Sequence, residues 1–75
     1  MPRQRRSETV ATLLGRRVRD LRAARGWTQE RLAEEVELDR SYVAGIEVGG
    51  RNPSLKALAR FADAFRISLT DLFRF

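Results

Sequence analysis

The chain has 75 residues, enough for one small domain with a thin hydrophobic core. It contains no cysteine and no histidine. Disulfides, thiolate nucleophiles, the usual zinc sites and histidine-based acid–base catalysis are therefore excluded. No apolar run reaches the roughly 18 residues of a membrane span, and the N-terminus is too polar for a signal peptide. These features predict a cytoplasmic protein with no membrane partner.

The charge favours a polyanionic partner. Fifteen basic against 10 acidic side chains give a net charge of +5, and 14 of the basic residues are arginine. Arginine forms bidentate contacts with phosphate and with guanine. Because an arginine-rich composition also arises from a GC-rich genome, charge alone does not identify the partner.

The chain divides into a short arm and one domain. Residues 1–8 carry Arg3, Arg5 and Arg6 without apolar periodicity, which predicts a basic flexible arm, either solvated or lying along DNA. Residues 9–75 form the domain. Helix one is predicted from Val10, with Ser7 or Thr9 as its N-cap, to just before Gly26. One helical stripe supports it, formed by Val10, Leu13, Leu14, Val18 and Leu21.

Four shorter helices are predicted to follow, and no segment alternates as a strand would. Thr28 and Asp39 are the expected caps of helices two and three, Pro53 and Ser54 open helix four, and Ser68 starts helix five. These helices extend to about Val36, Val48, Phe65 and Phe73. The expected fold is therefore all-α, a compact domain of five helices.

Helices two and three have the spacing of a helix-turn-helix unit. Ala33 is small where the next helix packs over it, Leu38 fills the turn, and Val43 and Ile46 face the core. In this unit the exposed face of the second helix enters the DNA major groove. The residues left on that face are Arg40, Ser41, Ala44, Gly45 and Val48.

The runs QERLA (29–33) and YVAGIE (42–47) resemble the lambda-repressor-like, Cro-type helix-turn-helix family, from about Leu14 to Phe73. The runs LDRSY (38–42) and RNPSL (51–55) are similar to restriction–modification controller proteins. The resemblance implies a sequence-specific transcription regulator, such as a repressor, that binds a two-fold site in double-stranded DNA as a homodimer.

One position departs from the family. Glu37 stands in the turn where the family usually has glycine, and a left-handed conformation there costs roughly 1 kcal/mol. We therefore expect a strained or reshaped turn.

Base contacts are expected from the outward face of helix three, at Arg40, Ser41, Ala44 and Gly45. Arg40 suits guanine O6 and N7, with an ion pair to Glu37 as the alternative. Ser41 is either a plain helical residue or a contact to a base or phosphate. Gly45 permits close approach either of another helix or of DNA.

Phosphate contacts are expected at Gln29, Tyr42, Arg51 and Asn52. The resemblance implies that Gln29, with the start of helix two, holds a phosphate, although a solvated side chain is the alternative. Tyr42 either covers the core edge or reaches a phosphate or a thymine methyl. Asn52 either binds phosphate or caps helix four.

Two further groups of residues have expected roles. Phe65, Leu72, Phe73 and Phe75 are taken as apolar surface for dimerisation. Arg22 and Glu47 should form a partly buried salt bridge between helices one and three, because the family has a paired Arg and Glu there. Two independently solvated charges are the alternative.

Two other function classes compete with the regulator. One is an antitoxin, or another interaction module with a protein partner such as a toxin, that binds DNA secondarily. The other is an enzyme, which without histidine would need paired carboxylates at a metal. The acids at 34, 35, 37 and 39 indicate a solvated surface and lack the glycine of a calcium loop. We therefore expect no enzymatic activity, catalytic residue, metal or cofactor.

Overall fold

The computed structural model describes residues 9–75, so the predicted arm over residues 1–8 lies outside the described part. The described residues form five α-helices and no strand, which confirms the all-α prediction. The helices are α1 (Val10–Ala24), α2 (Gln29–Val36), α3 (Arg40–Glu47), α4 (Leu55–Phe65) and α5 (Leu69–Leu72). Over this range no helix combines the length and the apolar character needed to cross a membrane.

Hydroxyl side chains fix where four of the helices begin. Thr9, Thr28, Ser54 and Ser68 each accept a hydrogen bond from the backbone N–H three residues further on. Thr9 rather than Ser7 therefore caps α1. Asp39 has the extended backbone of an N-cap before α3, but its side chain makes no capping hydrogen bond.

The turn between α2 and α3 is strained at Glu37. This residue adopts the left-handed conformation, with φ 60° and ψ 44°. The Leu38 N–H donates to the Ala33 carbonyl at 3.1 Å, which closes the end of α2. Arg60 of α4 donates to the Glu37 carbonyl, also at 3.1 Å. The sharp turn is thus held from both sides despite the missing glycine.

The core lies between α1, α3, α4 and the inner side of α2. It contains Leu14, Val18, Leu32, Ala33, Val36, Val43, Ile46, Leu58, Phe61, Ala62, Phe65 and Leu72. Trp27 packs against this cluster with its ring stacked on Phe65, centroids 5.9 Å apart. The loop after α1 is therefore part of the folded core.

The burial of Phe65 and Leu72 corrects the expectation that both are surface residues for dimerisation. Phe65 is 1% exposed and Leu72 is fully buried. Phe65 lies on the inner stripe of α4, between the rings of Trp27 and Phe61. Leu72 is covered because the short helix α5 packs against α1 and α4. The four predicted interface residues thus divide into two core residues, Phe65 and Leu72, and two exposed ones, Phe73 and Phe75.

Candidate nucleic-acid interface

The outward face of α3 carries the predicted base-contact residues. Arg40 and Ser41 are exposed in its first turn, and Ala44 and Gly45 are half-buried one turn later. Val48, which ends the helix, is 74% exposed. The opposite side of α3 is buried, at Val43, Ile46 and Glu47. The helix therefore presents an outward strip that is exposed at its two ends and half-buried between them, with its only guanidinium at the N-terminal end.

Arg40 is held loosely. Its Nε lies 3.8 Å from Glu30 Oε2, and both side chains are more than half exposed. The partner is Glu30 of α2 rather than the Glu37 considered from the sequence. Such a long, exposed pair contributes little to stability. The Arg40 side chain is therefore easily released to another partner.

Arg51 lies across the outer face of α3. A β-carbon on Gly45 would meet three atoms of the Arg51 side chain at 3.0–3.1 Å. The Arg51 guanidinium lies 5.2 Å from the centre of the Tyr42 ring, a cation–π distance. The missing side chain of Gly45 makes room for Arg51 rather than for another helix, and close approach to DNA at Gly45 stays a prediction. The half-buried Tyr42 supports Arg51 at the same time.

Asn52 does not cap α4. The Ser54 hydroxyl accepts from the Ala57 N–H at 3.0 Å and fills that role. Asn52 is exposed in the loop beside Arg51. The structure thus places Arg51 and Asn52 next to the end of α3, on a loop that leaves its side chains accessible.

A buried carboxylate connects α1, α2 and α3. Arg22 Nε donates to Glu47 Oε2 at 2.6 Å, and Arg22 Nη2 donates to Glu47 Oε1 at 3.1 Å. The Glu47 side chain is only 2% exposed, so the partly buried salt bridge expected between these residues is present. The hydrogen bonds to Glu47 raise the pKa of Arg22 above its ordinary value, although burial opposes them. Arg22 is therefore firmly charged in this bridge.

Gln29 joins the same carboxylate. Its Nε2 donates to Glu47 Oε1 at 3.0 Å. Gln29 is the first residue of α2 and is half-buried, so the fully solvated alternative does not apply. Sequence reasoning missed this contact, because no local signal relates residues 18 positions apart.

Several arginines bind backbone carbonyls rather than facing solvent. Arg17 Nη2 donates to the Asp71 carbonyl at 2.7 Å, and Arg25 Nη2 donates to the Phe65 carbonyl at 2.6 Å. With Arg60 at the Glu37 carbonyl, these contacts occupy the ends of three different helices. These three arginines therefore help to hold the fold together.

The exposed apolar residues at the C-terminus form a small patch, here named the C-terminal aromatic patch and consisting of Phe73 and Phe75. They are 37% and 51% exposed, and their ring centroids lie 5.8 Å apart. Asp71 lies beside the patch, and the Arg74 guanidinium holds the pKa of its carboxyl below the usual value. Among residues 9–75, no set of acidic side chains is grouped as a metal site requires.

Comparison with known proteins agrees with this geometry. A family model described as "Helix-turn-helix" matches residues 18–72. The control protein C.BamHI of Bacillus amyloliquefaciens is 34% identical over 70 residues, covering 92% of this chain and 86% of that protein. The restriction–modification controller protein C.AhdI of Aeromonas hydrophila is 45% identical, with a TM-score of 0.80 over 83% of this chain and 94% of the other.

A second controller protein, C.Esp1396I, has been solved as a tetramer in complex with its natural 35-base-pair operator. That structure is 30% identical, with a TM-score of 0.79, over 88% of this chain and 87% of the other. The region matched by the family model, residues 18–72, includes both helices of the helix-turn-helix motif and every residue of the core cluster except Leu14. The chain therefore belongs to the helix-turn-helix family and has its lambda-repressor-like fold.

Proposed function

We propose that this protein is a cytoplasmic, sequence-specific transcription regulator that binds a two-fold DNA site as a homodimer. The observation that carries the proposal is the outward strip of α3. It presents Arg40 and Ser41 on a helix whose other side is fixed by the core and by the buried Glu47. A rigid helix with accessible polar side chains is what major-groove recognition requires.

The side chains around α3 suit distinct parts of the duplex. Arg40 can reach a guanine edge, with Ser41, Ala44 and Gly45 lining the rest of the strip against the bases. Gln29, Tyr42, Arg51 and Asn52 surround the strip, where the phosphate backbone would pass. Arg51 is the only charged residue of these four, and its guanidinium rests on the Tyr42 ring with no carboxylate partner in the described part of the chain.

Dimerisation supplies the second half of the recognition surface. A helix of eight residues is about 12 Å long and reads only a few base pairs. Two copies placed about 34 Å apart, one turn of DNA, would read a two-fold site. We assign the contact between copies to the C-terminal aromatic patch, which is apolar and accessible. The controller protein C.Esp1396I, solved as a tetramer on its operator, supports both DNA binding and self-association.

The test is selection of bound sequences from random duplex DNA, followed by titration with salt. We expect a two-fold consensus site. About four to six phosphate contacts should give a slope of log affinity against log salt near −4 to −5. A slope near zero, or the absence of any enriched sequence, would contradict the proposal.

A further inference from the structure

The Gln29 amide has two hydrogens, and within residues 9–75 only one of them has a hydrogen-bond partner. One N–H donates to Glu47 Oε1 at 3.0 Å. The same oxygen also accepts from Arg22 Nη2 at 3.1 Å, while Oε2 accepts from Arg22 Nε. The amide is therefore held on one side by a carboxylate that is itself locked in place.

The start of α2 offers further donors beside this amide. The Thr28 hydroxyl accepts a hydrogen bond from the Arg31 N–H, and the Thr28 carbonyl accepts one from the Leu32 N–H. The N–H groups of Gln29 and Glu30 have no acceptor within residues 9–75. Free backbone N–H groups at the start of a helix attract anions. The Glu30 carboxylate, which would oppose an anion, lies toward Arg40.

We propose that Glu47 is a positioning residue for a phosphate contact made by Gln29. By holding one amide hydrogen, Glu47 directs the other toward the phosphate that the start of α2 receives. The inference rests on the proposed DNA-binding function and deepens it, because it assigns Gln29 and Glu47 to one coupled unit. Glu47 belongs to α3 and Gln29 to α2, so a single carboxylate would align the phosphate contact with the recognition helix.

The proposal has three consequences for DNA binding. Loss of the amide should weaken binding to every DNA sequence by the same factor, because phosphate contacts carry no sequence information. The salt slope should stay unchanged, because a neutral amide releases no counterion. The loss of DNA affinity caused by removing the Gln29 amide should also depend on whether Glu47 is present.

The experiment is a mutant cycle measured by DNA affinity. It compares the wild type, Gln29→Met, the pair Arg22→Met with Glu47→Met, and the three changes together. Replacing both members of the ion pair leaves no stranded charge. Circular dichroism sets a temperature at which all four proteins are folded. Ala24→Met, at an exposed position near the end of α1, is the matched control and should leave affinity unchanged.

On the wild-type background, Gln29→Met should reduce affinity by about 10-fold or more per protomer, the size of one hydrogen bond to a charged group. On the Arg22→Met/Glu47→Met background it should reduce affinity by less than about 2-fold, because the amide is already free to rotate. Equal losses on both backgrounds would overturn the coupling. No loss on the wild-type background would overturn the phosphate contact. Failure of the wild type to bind any DNA would instead contradict the proposed function itself.

A spectroscopic measurement on the unmodified protein tests the same point if the methionine pair does not fold. The chain has only Gln4, Gln29 and Asn52 as side-chain amides, so its ¹⁵N spectrum holds three NH₂ pairs. In the free protein, one Gln29 hydrogen should be protected from exchange and the other should not. Addition of the selected DNA should shift and protect the second hydrogen. An unchanged Gln29 signal in the complex would overturn the proposal.

Discussion

Gly15 of α1 lies directly against the backbone carbonyl of Glu47 at the end of α3. A β-carbon on Gly15 would be only 2.6 Å from that oxygen. On the same helix, Arg22 holds the Glu47 side chain. The backbone and the side chain of Glu47 are thus both fixed by α1. The position of the recognition helix is therefore set largely by one neighbouring helix.

Gly15→Ala should destabilise the fold by about 1–3 kcal/mol, the usual cost of overpacking. Alanine is the better helix former by about 1 kcal/mol, but the atoms it would meet are backbone and cannot rotate away. Urea unfolding measures the change. The control is Gly50→Ala, whose β-carbon would lie 3.7 Å from its nearest neighbour. A Gly15→Ala protein as stable as the wild type would show that α1 and α3 can separate without cost.

Removing one partner of the Arg22–Glu47 bridge should cost about 3–5 kcal/mol, because the other charge is left buried and unpaired. In a domain of this size, such a loss could unfold the protein. A double-mutant cycle with Arg22→Met and Glu47→Gln, followed by denaturant unfolding, gives the coupling energy. The exposed pair Arg31–Glu35 is the control and should show about 0–0.5 kcal/mol. A coupling of zero for Arg22 and Glu47 would assign their contact no energetic role.

Glu37→Gly should stabilise the protein by up to about 1 kcal/mol, because it relieves a left-handed conformation at a non-glycine residue. Arg66 has the same backbone angles after α4, so Arg66→Gly should have a similar effect. Thermal unfolding of the two variants provides the comparison. Destabilisation by either change would mean that its side chain contributes more than the strain removes.

Arg40→Ala should weaken binding to the selected site by about 1–3 kcal/mol and relax the preference at one base position. Among residues 9–75 the exposed Arg40 side chain is held only by the 3.8 Å contact with Glu30, so its loss should leave stability unchanged. Selection from random DNA compares the two base preferences. Arg19→Ala, an equal loss of exposed charge on α1, is the control and should not alter them. If Arg40→Ala weakened binding to all DNA sequences equally, Arg40 would contact a phosphate rather than a base.

Phe73→Asp should shift the protein from dimer to monomer without unfolding it, because Phe73 is partly exposed in the C-terminal aromatic patch. Burying a new carboxylate between two copies is unfavourable unless it gains a partner. Sedimentation measures the mass, and Trp27 fluorescence reports the core. An unchanged dimer would place the interface elsewhere, and an unfolded monomer would make Phe73 a core residue.

The sequence by itself determined the five helices and the outward strip of α3. Its signals for these are local: a hydroxyl cap at Thr28 or Ser68 and an apolar residue at every third or fourth position. Each of these depends on neighbours within about one helical turn. Local chemistry therefore predicts where helices begin and which side of each is apolar.

Only the tertiary structure decided how those helices meet. Gly15 is required by a carbonyl of another helix, and Arg17 reaches a carbonyl 54 residues away. Leu72 is buried because α5 packs against α1 and α4, and Phe65 is covered by Trp27, which lies 38 residues earlier in the chain. Contacts of this kind form only once distant segments are packed to near-crystalline density. The spacing of residues along the chain therefore does not predict these long-range contacts.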